Sequence, residues 1–345
     1  MPIPDEAAPV AAASVRQVFA RRSLRVPGTR LGAIAFPPPT SPRSHWHYWW
    51  QAHFLDCLLD EHLRDPGGDA LTEARKLVRG IWLRNGGRWR NAYYDDMAWL
   101  ALALQRLDAV DGRRRPRRRV RNLAGALRSA HTQDLGGGVF WNTTRDYKNT
   151  PSTAPAALFF ARAGDTGRAQ ELLDWLRARL YDQESGLYLD GVKADGRVER
   201  SLHTYNQGTV LGVLVAVGGR ENLQHAADLV EAVAREVAGD DGVLPLGAGG
   251  DAGLFTGILA RYLAQASLSG VGPVASQLAR TLLDATANHI WSGRLQVQGR
   301  KFLFPPRQER TPVSLSSQLQ AWMVLEAQRV SRTPEGRGKG AGRTE

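Results

Sequence analysis

The stretch Asn91-Ala-Tyr-Tyr-Asp-Asp-Met-Ala-Trp-Leu-Ala-Leu-Ala-Leu104 decides the fold. After Asp96 come eight residues without a charge and without a polar group except the indole N–H of Trp99. A helix that is apolar all round is surrounded by protein on every side. Ionised groups at its entrance are costly unless they are hydrogen-bonded, paired or put to use. Two neighbouring carboxyls repel, so one tends to keep its proton while the other stays ionised. That is the division of labour a glycosidase needs. The plainer reading is an Asp N-cap followed by a favourable first-turn Asp.

Five more segments have the same style, a polar or aromatic opening followed by small and apolar residues. They begin near Tyr48, Pro151, Tyr205, Gly253 and Ser314. Between the six run segments with helical periodicity and a charged face: Leu71 to Arg84, Asn122 to Thr132, Gly167 to Tyr181, Glu221 to Val237 and Pro273 to Trp291. In the third of these, Leu172, Leu173, Leu176 and Leu180 fall on one stripe. Apolar helices alternating with amphipathic ones predict two concentric rings, an all-α (α/α)6 toroid forming one domain over 45–330. A solenoid of helix pairs would need a more regular repeat and polar caps. Two long loops read as hairpins, Leu135 to Lys148 and Ser185 to Leu202, with Asp-Gly at 190–191 and 195–196 as turn signals. Residues 1–44, rich in Pro and Arg, and the basic tail 331–345 are expected to be poorly ordered.

Of the 345 residues, 43% are hydrophobic and 23% charged, as in ordinary globular proteins. No apolar run reaches the length of a membrane span. The N-terminus lacks a basic region followed by an apolar one, and Cys57 is the single cysteine, so the cytoplasm is the expected compartment. The net charge of +11 suggests nucleic acid, but its location argues otherwise. Arg113 to Arg121 carries +7, residues 1–44 +4 and residues 331–345 +2, leaving −2 for the body. No nucleic-acid partner is therefore expected. The arginine run reads as a solvated linker or as a weak contact with an anionic surface. His45, His47 and His53 do not meet a zinc spacing. The segment Asp190 to Asp195 lacks the calcium-loop pattern, and no phosphate or dinucleotide fingerprint is present. Neither metal nor cofactor is expected.

In such a toroid the inner helices point their N-termini at one mouth. Asp95-Asp96, Asn149-Thr150, Asn206-Gln207 and Ser316-Ser317-Gln318 are expected to converge there, as polar groups in an apolar cleft. Trp46, Trp49, Trp50, Tyr93, Tyr94, Trp141 and Tyr205 lie near these openings. Aromatic faces beside amides and carboxylates suit a sugar. Trp141, in its Gly-rich hairpin, and Tyr205 stand out as ligand contacts, whereas Trp99 reads as packing.

These motifs resemble glycoside hydrolase family 76, the endo-α-1,6-mannanases. The resemblance rests on Tyr93-Tyr-Asp-Asp96 with Trp99, Tyr205-Asn-Gln-Gly208, Trp141-Asn142 with Tyr147-Lys-Asn149, Leu254-Phe-Thr-Gly-Ile258 with Arg261-Tyr-Leu263, and Trp49-Trp-Gln-Ala52. It runs from about residue 45 to 328. It implies an (α/α)6 toroid, which agrees with the helix reading. It also implies retaining hydrolysis of an α-1,6-mannoside, with Asp95 as nucleophile and Asp96 as general acid/base. The candidate substrate contacts are then Trp50, Tyr94, Trp141, Asn149, Tyr205, Asn206 and Gln207, in a chain expected to act as a monomer. Two alternatives stay open. One is a non-catalytic glycan- or glycolipid-binding toroid. The other is a toroid enzyme acting on a different glycan.

Overall fold

The computed structural model describes residues 3–38, 46–113, 115, 117–299, 301–307 and 311–332. Among them twelve α-helices follow one another. They are α1 (Ala7–Val18), α2 (Tyr48–Arg64), α3 (Ala70–Arg84), α4 (Tyr94–Val110), α5 (Arg118–Ala130), α6 (Thr150–Arg162), α7 (Thr166–Leu180), α8 (Thr204–Val217), α9 (Arg220–Glu236), α10 (Ala252–Ser267), α11 (Pro273–Ser292) and α12 (Leu315–Arg332). The even-numbered helices form the inner ring. Each packs on the next, and α12 returns to α2. Their middles are buried on all sides, as at Met97 to Leu104 and Leu315 to Gln328. The ring is tight because small residues sit at the crossings. A Cβ on Gly208 of α8 would lie 2.5 Å from the Leu259 Cα of α10.

The odd-numbered helices shield this ring, α3 on α2, α5 on α4, α7 on α6, α9 on α8 and α11 on α10. Each buries one stripe, such as Leu172, Leu173, Leu176 and Leu180 of α7. The sixth outer position belongs to α1, which packs on α12. The expectation that residues 1–44 lack order is thus overturned for this stretch. Ala7, Ala8, Ala11, Ala12, Val15 and Val18 form a buried stripe at helical spacing, and without it the outer face of α12 would meet water. After α1, Ala35–Phe36 pairs antiparallel with Val313–Ser314. The Gln51 side-chain amide holds the backbone of Gly32, accepting its N–H at 2.8 Å and donating to its carbonyl at 3.1 Å. Beyond Arg332 the basic tail lies outside the described residues.

Opposite the mouth, the second halves of the inner helices are joined by buried ion pairs. Arg106 of α4 meets Asp56 and Asp60 of α2 at 2.6 and 2.7 Å, and Arg261 of α10 meets Asp60 at 2.7 Å. Burial alone would raise the Asp56 carboxyl, but Arg106 and Arg261 outweigh it and hold the group well below the usual range. Buried charges persist only when paired in this way. Part of the arginine run is engaged similarly. Arg117 meets Asp111 at 2.7 Å and Arg119 meets Asp108 at 3.1 Å, because α5 already begins at Arg118. Arg114 and Pro116 lie outside the described residues.

Candidate active site

Asp95 and Asp96 occupy the first turn of α4, whose entry is fixed from outside the helix. Tyr93 is extended and bridges Asn142, and the Tyr94 N–H donates to the Trp141 carbonyl at 2.7 Å. This pins the loop carrying Trp141 over the helix start. The Trp141 indole then donates to Asp95 Oδ2 at 3.0 Å, while Asp95 Oδ1 accepts the Asp96 N–H at 2.8 Å. Asp96 Oδ2 accepts a hydrogen bond from the Asn91 side chain. Asn91 is itself held by the Tyr93 N–H at 3.0 Å.

Both carboxyls are pushed upward. Burial lifts Asp95 to about 7, against the pull of the two N–H donors and with the help of the Asp251 charge. Asp96 is raised well above an ordinary aspartate by burial, then by the charge of Asp95; Asn91 offsets part of this. Donors to a carboxylate favour its ionised form, whereas a neighbouring anion favours the proton. Asp95, with two donors, is therefore the group that ionises first, and Asp96 the group that keeps the proton.

The pair lies between two cavities. One, of about 390 Å³, is lined by Asp95, Trp49, Trp99, Trp141, Tyr147, Asn149, Asp190, Tyr205, Asp251 and Phe255 among others. The second, of about 580 Å³, is lined by Asp95 and Asp96 with Trp46, Asn91, Tyr93, Trp141 and Asp251. Asp95 faces both; Asp96 faces only the second. Tyr205 stacks on Phe255 at 4.1 Å, with Trp49 against both at 6.4 Å, which makes an aromatic wall. Across from it the strand Leu187–Lys193 pairs with Tyr147–Asn149 and with Val198–Leu202. Asp190 on this strand accepts hydrogen bonds from the Tyr147 hydroxyl and, at 3.3 Å, from Asn206.

Of the residues anticipated as ligand contacts, Trp141, Asn149 and Tyr205 line the first cavity. Asn149 also caps α6 by accepting the Ser152 N–H at 3.1 Å. The other four do not line either cavity. Trp50 is buried, and its neighbour Trp49 takes the cleft position, because successive helical residues point about 100° apart. Tyr94 turns into the core. Asn206 supports Asp190 from behind. Gln207 clamps the backbone of Tyr188 at 2.8 Å in both directions. Trp99 lines the cavity and is not packing alone.

Ser317 and Gln318 are used elsewhere, on the backbone of Gly249 and of Phe302 and Phe304. Asp195-Gly196 makes its turn, but Asp190-Gly191 is a strand irregularity instead. A Cβ on Gly191 would lie 2.6 Å from the Lys148 carbonyl and the Tyr147 ring. The glycine is needed for that close approach, and the shifted register aims Asp190 at the cleft. Asp251 and Phe255, at the start of α10, were missed by the sequence reading. An Asp just before an apolar helix, as in Asp95-Asp96, was the one signal available for the former.

A closed double ring of helices with a buried acid pair in an aromatic cleft defines a carbohydrate-active toroid. The chain belongs to glycosyl hydrolase family 76, whose family model matches residues 6–336. Among solved structures it is similar to the GH76A α-1,6-mannanase of Salegentibacter sp. HEL1_6, with 27% identity, 95% of this chain and 99% of that one covered, and a TM-score of 0.84. A variant of that mannanase with two consecutive aspartates replaced by asparagine, described as inactive and in complex with α-1,6-mannotriose, matches at 28% identity over 95% and 99% of the chains, TM-score 0.85. Dfg5 of Chaetomium thermophilum, in complex with glucosamine, shares the fold at 16% identity, 94% and 90% coverage and a TM-score of 0.73. A search of curated proteins returns no match.

Proposed function

We propose that this protein is a retaining glycoside hydrolase cleaving α-1,6-mannosidic linkages. The observation that carries the reading is the placement of the pair, with Asp95 open to both cavities and Asp96 to the second alone. A glycan lying across the pair puts its reacting mannosyl unit in the first cavity, against Tyr205, Phe255 and Trp49. The departing sugar lies in the second, beside Tyr93 and Trp46. Asp95, its charge supported by Trp141 and the Asp96 N–H, attacks C1. Asp96 gives its proton to the leaving 6-oxygen, and the C1–O bond breaks to leave a mannosyl ester on Asp95. Asp96, now ionised, takes a proton from water as that water attacks C1 and frees the ester. The similar mannanase whose paired-aspartate variant holds α-1,6-mannotriose supports this choice of substrate.

The test is incubation with linear α-1,6-, α-1,2- and α-1,3-linked mannooligosaccharides. Cleavage of the α-1,6 series alone is expected. Turnover of another linkage would transfer the same machinery to a different glycan. Tight binding of the α-1,6 series without turnover would favour the scaffold reading.

A further inference from the structure

The cleft holds a third carboxylate that the two-acid scheme leaves without a task. Asp251 is the N-cap of α10 and lines both cavities, facing Asp95 and Asp96 across the cleft. A single oxygen, Oδ1, accepts the indole N–H of Trp49 at 2.9 Å and that of Trp50 at 2.8 Å. Resting on the reading above, we propose that Asp251 is the positioning residue of this cleft: it fixes Trp49 as a wall and sets its carboxylate opposite the acid pair, where its charge acts on both groups.

Two consequences separate these tasks. The indole bonds need only an acceptor, which an amide oxygen supplies as well as a carboxylate. The charge needs the carboxylate itself. The Asp251 charge raises both Asp95 and Asp96. The other titratable groups around the pair are Tyr48 and His47 from the start of α2 and Tyr205 from α8. Tyr93 lies just before α4; Asp190, Lys193, Glu199, Tyr147 and Asp146 face the pair from the strands and loop across the first cavity; and His203 lies just before α8. Asp251 stands at the exposed mouth, where water screens part of its field. Its effect on the pair is therefore secondary to burial.

The experiment compares the full chain with its Asp251→Asn and Asp251→Ala variants. Selectively labelled aspartate carboxyls are titrated by carbon NMR, with Asp95→Asn and Asp96→Asn assigning the signals, and indole N–H exchange is followed in parallel. The apparent pKa values of the pair are expected to fall in both variants. Trp49 and Trp50 N–H protection should be lost only in Asp251→Ala. With α-1,6-mannotetraose, both limbs of the pH profile should move to lower pH in both variants. KM should rise on the order of ten-fold only in Asp251→Ala, through the loss of the indole bonds that hold Trp49 in place. An unmoved carboxyl titration in Asp251→Asn overturns the proposal whether or not mannan is cleaved. A moved titration in a protein that does not cleave mannan would sink the substrate reading and leave Asp251 its role.

Discussion

Replacing Asp95 should change stability in opposite directions at two pH values. The folded protein holds Asp95 at about 7, against 3.8 for an ordinary aspartate. A raised carboxyl stabilises the fold below the unfolded value, and that contribution is lost as pH rises through the folded one. The shift is roughly three units, which caps the cost of ionising Asp95 in place at about 4 kcal/mol. Asp95→Asn removes this cost and also relieves Asp96 of a neighbouring charge. The amide has one acceptor for the two donors now bound, Asp96 N–H and Trp141 Nε1. One donor loses its partner, at about 1–3 kcal/mol. The variant should therefore be more stable than the wild type at pH 8, by about 2 kcal/mol or roughly 3 °C in Tm for a chain of this length. At pH 4 the charge term vanishes and only the lost bond remains, so the variant should be less stable. Thermal unfolding of both proteins at the two pH values measures this. A difference of the same sign and size at both would refute the assignment of Asp95 as a buried, destabilising anion.

Three other outcomes follow from the same structure. The proposed mechanism needs Asp95 ionised and Asp96 protonated, so kcat/KM should be bell-shaped, with its acid limb at about 7 and its basic limb above that; a plateau extending to pH 5 would contradict the assignment. Gly191→Ala should displace the strand from Tyr147 and Lys148 at a cost of about 1–3 kcal/mol in urea unfolding. It should also impair turnover through Asp190, whereas the exposed Gly167→Ala control, in open space on α7, should leave kcat unchanged. Deleting residues 1–19 removes Val15, Val18 and Phe19 from the core, each worth about 1.5–3 kcal/mol; the truncated chain should melt far lower or fail to fold, and an unchanged Tm would show α1 to be dispensable.

The double ring was legible because inner and outer helices differ in the pattern of their apolar residues, and that pattern alone separates Met97–Leu104 from Leu172–Leu180. The sixth outer helix was not, since its buried stripe is mostly alanine and carries little hydrophobic contrast beside the prolines that follow. At the site, the Asp95-Asp96 pair stood out against its apolar helix. The choice between Trp49 and Trp50 depends on the rotational phase of α2, which the order of two tryptophans does not reveal. Asn206 and Gln207 read as mouth residues because they open an inner helix, yet the hairpin in front of them claims both side chains. Asp190 and Phe255 share a cavity with Asp95 only through the tertiary packing of a strand and a helix far apart in sequence, so their place at the site is not legible locally.

The most direct test of the central claim follows the reducing-end anomer by proton NMR as the protein cleaves linear α-1,6-mannotetraose, with Asp95→Asn and Asp96→Asn run beside it. The account predicts α-product first in the wild type and none in either variant. Initial β-product, or undiminished cleavage by either variant, would contradict it.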